Sequence, residues 1–330
     1  MFTINIFSIK ISYTKQYIKA IYICSLSCYY DIGEEGANMK KLTFPNELIH
    51  IPQKYEHPIN EAGKLIDFYY DTYESFSYNE KKQKLHKHAV VYLPANYNKN
   101  QKYNVFYLMH GGWSNENTYL GRPGQESEFK NVLDNAIAEG IMTPMIVVCP
   151  TYNNLSPQDS SDYNLAVRLA NNYHNELTND LMPAIAKEFS TFAKSDNQTD
   201  IKLARDHHAF CGFSMGAVTT WFTFQYALDY FRYFMPSSGA ITDNGELMAQ
   251  MVINQNKKWN DFFIFAASGT KDFAYPSFTR QIQAMENQPM FRYANNEEDG
   301  NLYYLVAPGG VHGRKNALED FYNGMIQLWK

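Results

Sequence analysis

The chain has 330 residues, of which 45% are hydrophobic, and this is enough for one large domain with a full hydrophobic core. Its formal net charge is -5 at pH 7 and its lysines and arginines form no basic cluster, which disfavours nucleic acid and anionic membranes as partners. The four cysteines do not form a disulfide framework.

The N-terminal segment differs in composition from the rest of the chain. Its longest apolar run, residues 20–24, is too short for a membrane span or for the core of a signal peptide. Glu35, Gly36 and Ala37 can be encoded by a purine-rich ribosome-binding sequence just before Met39, so we predict that translation begins there. Residues 1–38 are then a non-native or disordered extension and the protein is cytoplasmic; a degenerate export segment, with secretion, is the alternative.

Residues 39–330 are predicted to form a single domain. Short apolar runs at residues 48–51 and 64–70 predict antiparallel edge strands. Further along, strands alternate with helices, which predicts an α/β fold with a doubly wound, mostly parallel sheet. Helices are predicted at residues 128–139 and 175–189, with Pro183 kinking or splitting the second. The later predicted strands are residues 88–94, 105–109, 144–150, 208–211, 233–235, 262–267 and 302–306.

The pentapeptide Gly212-Phe213-Ser214-Met215-Gly216 lies between an apolar strand and a helical run. This context favours a nucleophile elbow, in which the serine hydroxyl is exposed above a sheet and the next backbone N–H faces a developing oxyanion. Ser214 is therefore a candidate nucleophile and Met215 a candidate oxyanion donor. The alternative is an ordinary strand-to-helix turn that uses small residues for packing.

The tetrapeptide His110-Gly111-Gly112-Trp113 directly follows the strand predicted at residues 105–109. In α/β-hydrolases the second oxyanion donor lies at the end of an early strand, where glycine lets a backbone N–H face the substrate. Gly111 or Gly112 is the candidate donor, and a plain turn is the alternative.

The acid and base of a catalytic triad follow the serine in this fold, in the order Asp or Glu and then His. Of the nine histidines, only His312 comes after Ser214, in a glycine-flanked loop after a predicted strand. Asp272 follows the preceding strand and is the candidate acid. The chain contains no metal-binding or phosphate-binding motif, so no metal or other cofactor is predicted. The competing carboxylates lie in a polar loop and are Glu297, Glu298 and Asp299.

The combination of these motifs resembles the feruloyl esterase modules of carbohydrate esterase family one, which are often attached to xylanases. The resemblance implies an α/β-hydrolase fold without a cofactor, and cleavage of hydroxycinnamate esters from arabinoxylan or its oligosaccharides. By position, it makes Ser214 the nucleophile, His312 the base, Asp272 the acid, and Met215 with Gly111 or Gly112 the oxyanion donors. The same fold also serves acetylxylan esterases, thioesterases and acyltransferases, which remain alternatives. The matching segments are residues 107–113, 131–151, 209–220, 236–239, 267–275 and 302–312.

Aromatic residues near the predicted site indicate how a cinnamoyl ring would bind. Trp113 follows the predicted oxyanion loop, Tyr119 lies in the polar loop after it, and Tyr152 follows a strand end. We therefore expect each to reach the mouth of the pocket. Phe273 and Tyr275 come just after Asp272, and we expect them to pack beneath it.

Overall fold

An eight-stranded sheet runs through residues 43–330, the part of the chain that the computed structural model describes. Its central strands are continuous apolar runs, because a strand covered by helices on both faces has no solvated side. The predictions for residues 1–38 lie outside the described residues. The strands are β1 (Lys64–Tyr73), β2 (Lys84–Leu93), β3 (Asn104–Met109), β4 (Gly121–Arg122), β5 (Gln125–Glu126), β6 (Met145–Cys149), β7 (His208–Phe213), β8 (Tyr233–Ser237), β9 (Phe263–Gly269) and β10 (Leu302–Ala307).

The strand order in the sheet is β1-β2-β6-β3-β7-β8-β9-β10, and β4 pairs with β5 in a separate ribbon. β1, β2 and β6 are joined by antiparallel pairing, and the strands from β6 to β10 are parallel. The predicted α/β class is therefore confirmed. Parallel strands end at the same edge, so the loops after β3, β7, β9 and β10 meet there, and this edge is where ligands bind in such folds.

Helices cover both faces of the sheet, and each face has its own cluster of buried apolar side chains. Within residues 43–330 no helix has the length and apolar character that crossing a membrane requires. The helices are α1 (Glu128–Ala138), α2 (Tyr163–Glu176), α3 (Met182–Glu188), α4 (Gln198–Leu203), α5 (Met215–Tyr226), α6 (Gly245–Asn254), α7 (Tyr275–Glu286) and α8 (Arg314–Met325).

The strand predicted at residues 48–51 is wrong, because this segment does not join the sheet. The side chain of Asn323 on α8 instead pairs with the backbone of Ile49, accepting from its N–H at 2.9 Å and donating to its C=O at 2.8 Å. An amide side chain offers the same donor and acceptor pair as a neighbouring strand. Only packing against α8 makes that partner available.

The helix predicted at residues 175–189 begins earlier than expected. It starts at Tyr163, where the Asp162 side chain caps it by accepting from the N–H of Leu165 at 3.0 Å. A wide π-helical turn, Leu177–Leu181, joins α2 to α3. Pro183 lies in the first turn of α3, where a missing N–H is tolerated. The proline therefore divides the helix as predicted, through a wide turn.

A buried ion pair attaches the end of α2 to the antiparallel side of the sheet. The Nζ of Lys87 lies 2.8 Å from the carboxylate of Glu176 and donates to the C=O of Thr151 at 2.8 Å. The hydroxyl of Tyr70 donates to the same carboxylate. Burial raises the pKa of Glu176 although Lys87 opposes the shift. The pair thus joins β1, β2, α2 and the loop after β6.

Replacing one member of this pair should strongly destabilise the fold. We expect Lys87→Met to lower the free energy of unfolding by about 3–5 kcal/mol, because it leaves a buried carboxylate without its cation. Adding Glu176→Gln should recover part of the loss. Urea unfolding measures the free energy of unfolding of the single and the double variant. The matched control is Lys202→Met, because the ion pair of Lys202 with Asp229 is exposed and contributes at most about 1 kcal/mol. Equal losses in the two lysine variants would contradict the prediction.

Candidate active site

Ser214 lies in a sharp turn between β7 and α5. Its backbone has φ 60° and ψ -119°, a conformation that costs a residue with a side chain roughly 1–3 kcal/mol. The turn is held by the Ser214 N–H, which donates to the C=O of Ser237 on β8 at 2.9 Å. A Cβ on Gly212 would lie 2.5 Å from the backbone of Gly216, and one on Gly216 would lie 2.5 Å from the C=O of Met109. Glycine is therefore required at both positions.

The loops after β7, β9 and β10 bring Ser214, Asp272 and His312 together. The Nε2 of His312 lies 2.9 Å from the Oγ of Ser214, and its Nδ1 lies 2.8 Å from a carboxylate oxygen of Asp272. An ionised carboxylate only accepts, so Nδ1 carries the hydrogen and the lone pair of Nε2 faces the serine hydroxyl. In this tautomer the histidine can accept the proton of Ser214.

The carboxylate of Asp272 is almost fully buried, with 1% of the side chain exposed. It also accepts from the N–H of Ala274 at 2.7 Å, and the adjacent N–H of Lys271 donates to Gly310 at 2.8 Å, which ties the loop of the acid to the loop of His312. The competing carboxylates have other contacts. Glu297 pairs with Arg232, and Asp299 accepts from Asn296.

The loop after β3 is held by two hydrogen bonds to a single carbonyl. The C=O of Gly111 accepts from the hydroxyl of Tyr152 at 2.9 Å and from Nδ1–H of His110 at 2.7 Å. Burial lowers the pKa of His110 to about 4, so its ring is neutral at pH 7, and its Nε2 accepts from the hydroxyl of Thr151 at 2.7 Å. In a trans peptide the N–H points opposite to the C=O, so the N–H of Gly112 points away from Tyr152 and His110. Between the two glycines, this geometry favours Gly112 as the donor.

Two cavities flank Ser214, and both are bordered by Gly112, Trp113 and Phe273. The first, the His312 cavity, has a volume of about 290 Å³. The second, the Met215 cavity, has a volume of about 350 Å³. The His312 cavity is further lined by Thr118, Tyr119, Phe213, His312, Arg314 and Ala317. The Met215 cavity is further lined by Tyr163, Met215, Val218, Ala240, Ala274 and Ser277.

Several aromatic residues near Ser214 lie in other places than the sequence predicts. Trp113 borders both cavities and is 73% exposed. Tyr152 is buried beneath the Gly111 carbonyl, and Tyr119 is buried against Phe321, so it forms only part of the cavity wall. Phe273 is 78% exposed and its ring lies over that of His312, with centroids 4.1 Å apart, whereas it was expected to pack beneath Asp272.

Tyr163 was not predicted from the sequence, yet its side chain is 62% exposed and lines the Met215 cavity. It is the first residue of α2, far from every motif, so no local pattern identifies it. Within residues 43–330 no group of three or more His, Cys, Asp or Glu side chains is arranged to hold a metal ion.

The elbow serine, the histidine that faces it and the buried carboxylate define a serine hydrolase of the α/β-hydrolase fold. The model of the Esterase family, described as "Putative esterase", matches residues 82–313, and the chain belongs to this family. The chain is 36% identical over 267 residues to endo-1,4-beta-xylanase Y of Acetivibrio thermocellus. This match covers 79% of this chain and 23% of that protein. The chain thus spans about a quarter of that relative's length.

Solved structures agree with this assignment. The feruloyl esterase module of Clostridium thermocellum, solved as a serine-to-alanine variant in complex with sinapinate, is 32% identical, with a TM-score of 0.76 over 88% of this chain and 96% of that chain. A ferulic acid esterase from Anaeromyces mucronatus is 19% identical, with a TM-score of 0.59 over 87% of this chain and 97% of that chain. This second likeness supports the fold alone.

Removing the hydroxyl of Tyr152 should impair catalysis and leave substrate binding almost unchanged. Tyr152→Phe deletes one of the two hydrogen bonds that orient the Gly111–Gly112 peptide, so we expect kcat to fall roughly two- to tenfold, the equivalent of about 0.5–1.5 kcal/mol. Steady-state kinetics on an aryl ester measures kcat and KM of the variant and the wild type. Tyr92→Phe is the matched control, since it deletes a buried hydroxyl that donates to Asp134 at 2.9 Å away from the cavities. Similar losses of kcat in both variants would contradict the positioning role.

Proposed function

We propose that the chain hydrolyses esters of hydroxycinnamic acids, such as the feruloyl groups of xylan or its oligosaccharides, through an acyl-enzyme on Ser214. The observation that carries this proposal is the Met215 cavity, a mostly apolar space of about 350 Å³ that opens directly beside the Ser214 hydroxyl. The similarity to a feruloyl esterase module solved with sinapinate supports it.

The position of His312 indicates on which side of Ser214 the acyl group and the alcohol of the ester bind. After His312 takes the proton of Ser214, it must return that proton to the departing alcohol, so the leaving oxygen lies next to Nε2. His312 lines the His312 cavity, and this cavity therefore receives the alcohol. The acyl group then extends to the other side of the scissile carbon, into the Met215 cavity.

The lining of the Met215 cavity suits a planar aromatic acid. Trp113, Tyr163 and Phe273 are large rings that remain 62–78% exposed at its border, where a ring can stack on them. Met215 and Val218 provide an apolar wall. An acetyl group has only two carbon atoms and would leave most of this space unfilled, which disfavours the acetyl esterase alternative.

The chain's own groups perform each step of the reaction. Ser214 Oγ attacks the ester carbonyl while His312 removes its proton and Asp272 stabilises the imidazolium. The N–H groups of Met215 and Gly112 donate to the oxyanion of the tetrahedral intermediate. The alcohol leaves with the proton from His312, and water then hydrolyses the acyl-enzyme by the same route in reverse.

The role of Ser214 is tested by substitution. We expect Ser214→Ala to reduce kcat on the order of a millionfold, as losses within a serine triad do, while the melting temperature stays close to that of the wild type. A fluorophosphonate should label the wild type at Ser214 and leave the variant unlabelled. Residual activity of a tenth, or labelling of the variant, would refute the assignment.

The acyl preference is tested with matched esters. We expect methyl ferulate to exceed a simple acetyl ester in kcat/KM, because stacking on each aromatic ring adds roughly 0.5–1.5 kcal/mol, about two- to tenfold. Trp113→Ala and Phe273→Ala should each lower the ratio of kcat/KM for methyl ferulate to kcat/KM for the acetyl ester. Phe192→Ala is the matched control, because Phe192 stacks on His207, with centroids 3.5 Å apart, and lines neither cavity. Equal efficiency on both esters, or an acetyl preference, would replace this proposal with the acetylxylan esterase alternative.

A further inference from the structure

We propose that a surface groove next to the His312 cavity binds the carbohydrate part of the ester, as a subsite for a neutral oligosaccharide that leaves as the alcohol. This inference rests on the proposed function, because it takes the side of His312 as the leaving-group side. The groove has a volume of about 890 Å³. This polar groove is lined by His50, Gln53, Glu56, Glu128, Lys315 and Glu319.

The polar groove continues from the His312 cavity. Arg314 lines both spaces, and the adjacent α8 residues Ala317 and Leu318 line the cavity and the groove respectively. The guanidinium of Arg314 is fixed between them, since it donates to the carboxylate of Glu128 at 3.1 Å and to the C=O of Thr118. The two spaces therefore meet at Arg314, so an alcohol that is bound beside His312 and extends past this side chain enters the groove. A methyl ester occupies only the start of this path.

The charges of the polar groove favour a neutral ligand rich in hydroxyl groups. Two of its carboxylates are already paired, Glu128 with Arg314 and Glu319 with His50 at 2.9 Å. Lys315 and Glu56 carry opposite charges. Positive and negative groups of the lining are thus nearly balanced in number, which gives neither an anion nor a cation a strongly favourable field. Sugar hydroxyls both donate and accept, so they can pair with every one of these groups.

Three side chains of the groove are available for such contacts. The side chains of Gln53, Glu56 and Lys315 have no hydrogen bond or ion pair with another residue of the described part of the chain. Gln53 and Glu56 belong to the segment that precedes β1, while Lys315 lies in the first turn of α8. They therefore approach a ligand from both walls. Leu318, which is buried, forms an apolar floor.

The test compares substrates that share an acyl group and differ in the alcohol. The variant is Gln53→Ala/Glu56→Ala/Lys315→Ala, and the substrates are methyl ferulate and a feruloylated arabinoxylan oligosaccharide. We expect the wild type to prefer the oligosaccharide in kcat/KM and the variant to lose about tenfold on it, since each hydrogen bond contributes roughly two- to tenfold. Activity on methyl ferulate should stay within twofold. The control is Lys187→Ala/Glu188→Ala/Gln283→Ala, which removes three exposed polar side chains outside both cavities and the groove.

A second measurement uses the reverse of acylation. With methyl ferulate as acyl donor, the ester-free oligosaccharide should accept the feruloyl group: its hydroxyl oxygen bonds to the acyl carbon, the Ser214 Oγ–acyl bond breaks, and the proton returns to Oγ through His312. The groove variant should make at least fivefold less of this ester and retain the hydrolysis rate of methyl ferulate.

The outcomes separate the two proposals. Turnover of methyl ferulate without any advantage for the oligosaccharide, or an equal loss in the groove and control variants, would refute the groove and leave the esterase proposal intact. Absence of turnover on both hydroxycinnamate esters would refute the proposed function itself.

Discussion

The conformation of Ser214 depends on how closely four backbone segments approach one another. A residue with a side chain holds φ 60° together with ψ -119° only when its surroundings leave no alternative. Here α5 packs so tightly against β3 and β7 that Gly212 and Gly216 have no room for a Cβ, and the bond to Ser237 ties the turn to β8. Packing of the whole sheet compensates for this backbone strain. The strained turn in return places the Ser214 hydroxyl within reach of His312.

A buried chain of polar groups connects this rigid centre to the antiparallel side of the sheet. The pair of Lys87 and Glu176 holds the backbone carbonyl of Thr151, whose hydroxyl donates to His110, and His110 in turn orients the Gly111 carbonyl. Each buried donor thus has an acceptor, which keeps such a network from destabilising the fold. The network extends from the end of α2 to the Gly111–Gly112 peptide next to Ser214, so stability and the orientation of the Gly112 N–H depend on the same contacts.

The asymmetry around the serine follows from the parallel sheet. Because β10 is the last strand and its loop carries His312, the histidine lies on one side of Ser214, next to the first turn of α8. The other side is bordered by α2 and α5, whose first residues, Tyr163 and Met215, line the Met215 cavity. In the proposed mechanism, the acyl group of an ester lies in the Met215 cavity, and the alcohol lies beside Arg314 and the polar residues beyond it.

Sequence alone was sufficient to predict the parallel strands and to select Ser214, Asp272 and His312 as a set, because the period of apolar residues and the order of short motifs are local properties of the chain. Tertiary structure decided the rest. Residues 48–51 form no strand because Asn323, which is distant in sequence, pairs with their backbone. Tyr152 lies beneath the oxyanion loop and Phe273 lies over His312 because side-chain direction depends on what surrounds a loop. The choice between Gly111 and Gly112, and the side on which each half of an ester binds, likewise depend on contacts between segments that no sequence pattern specifies.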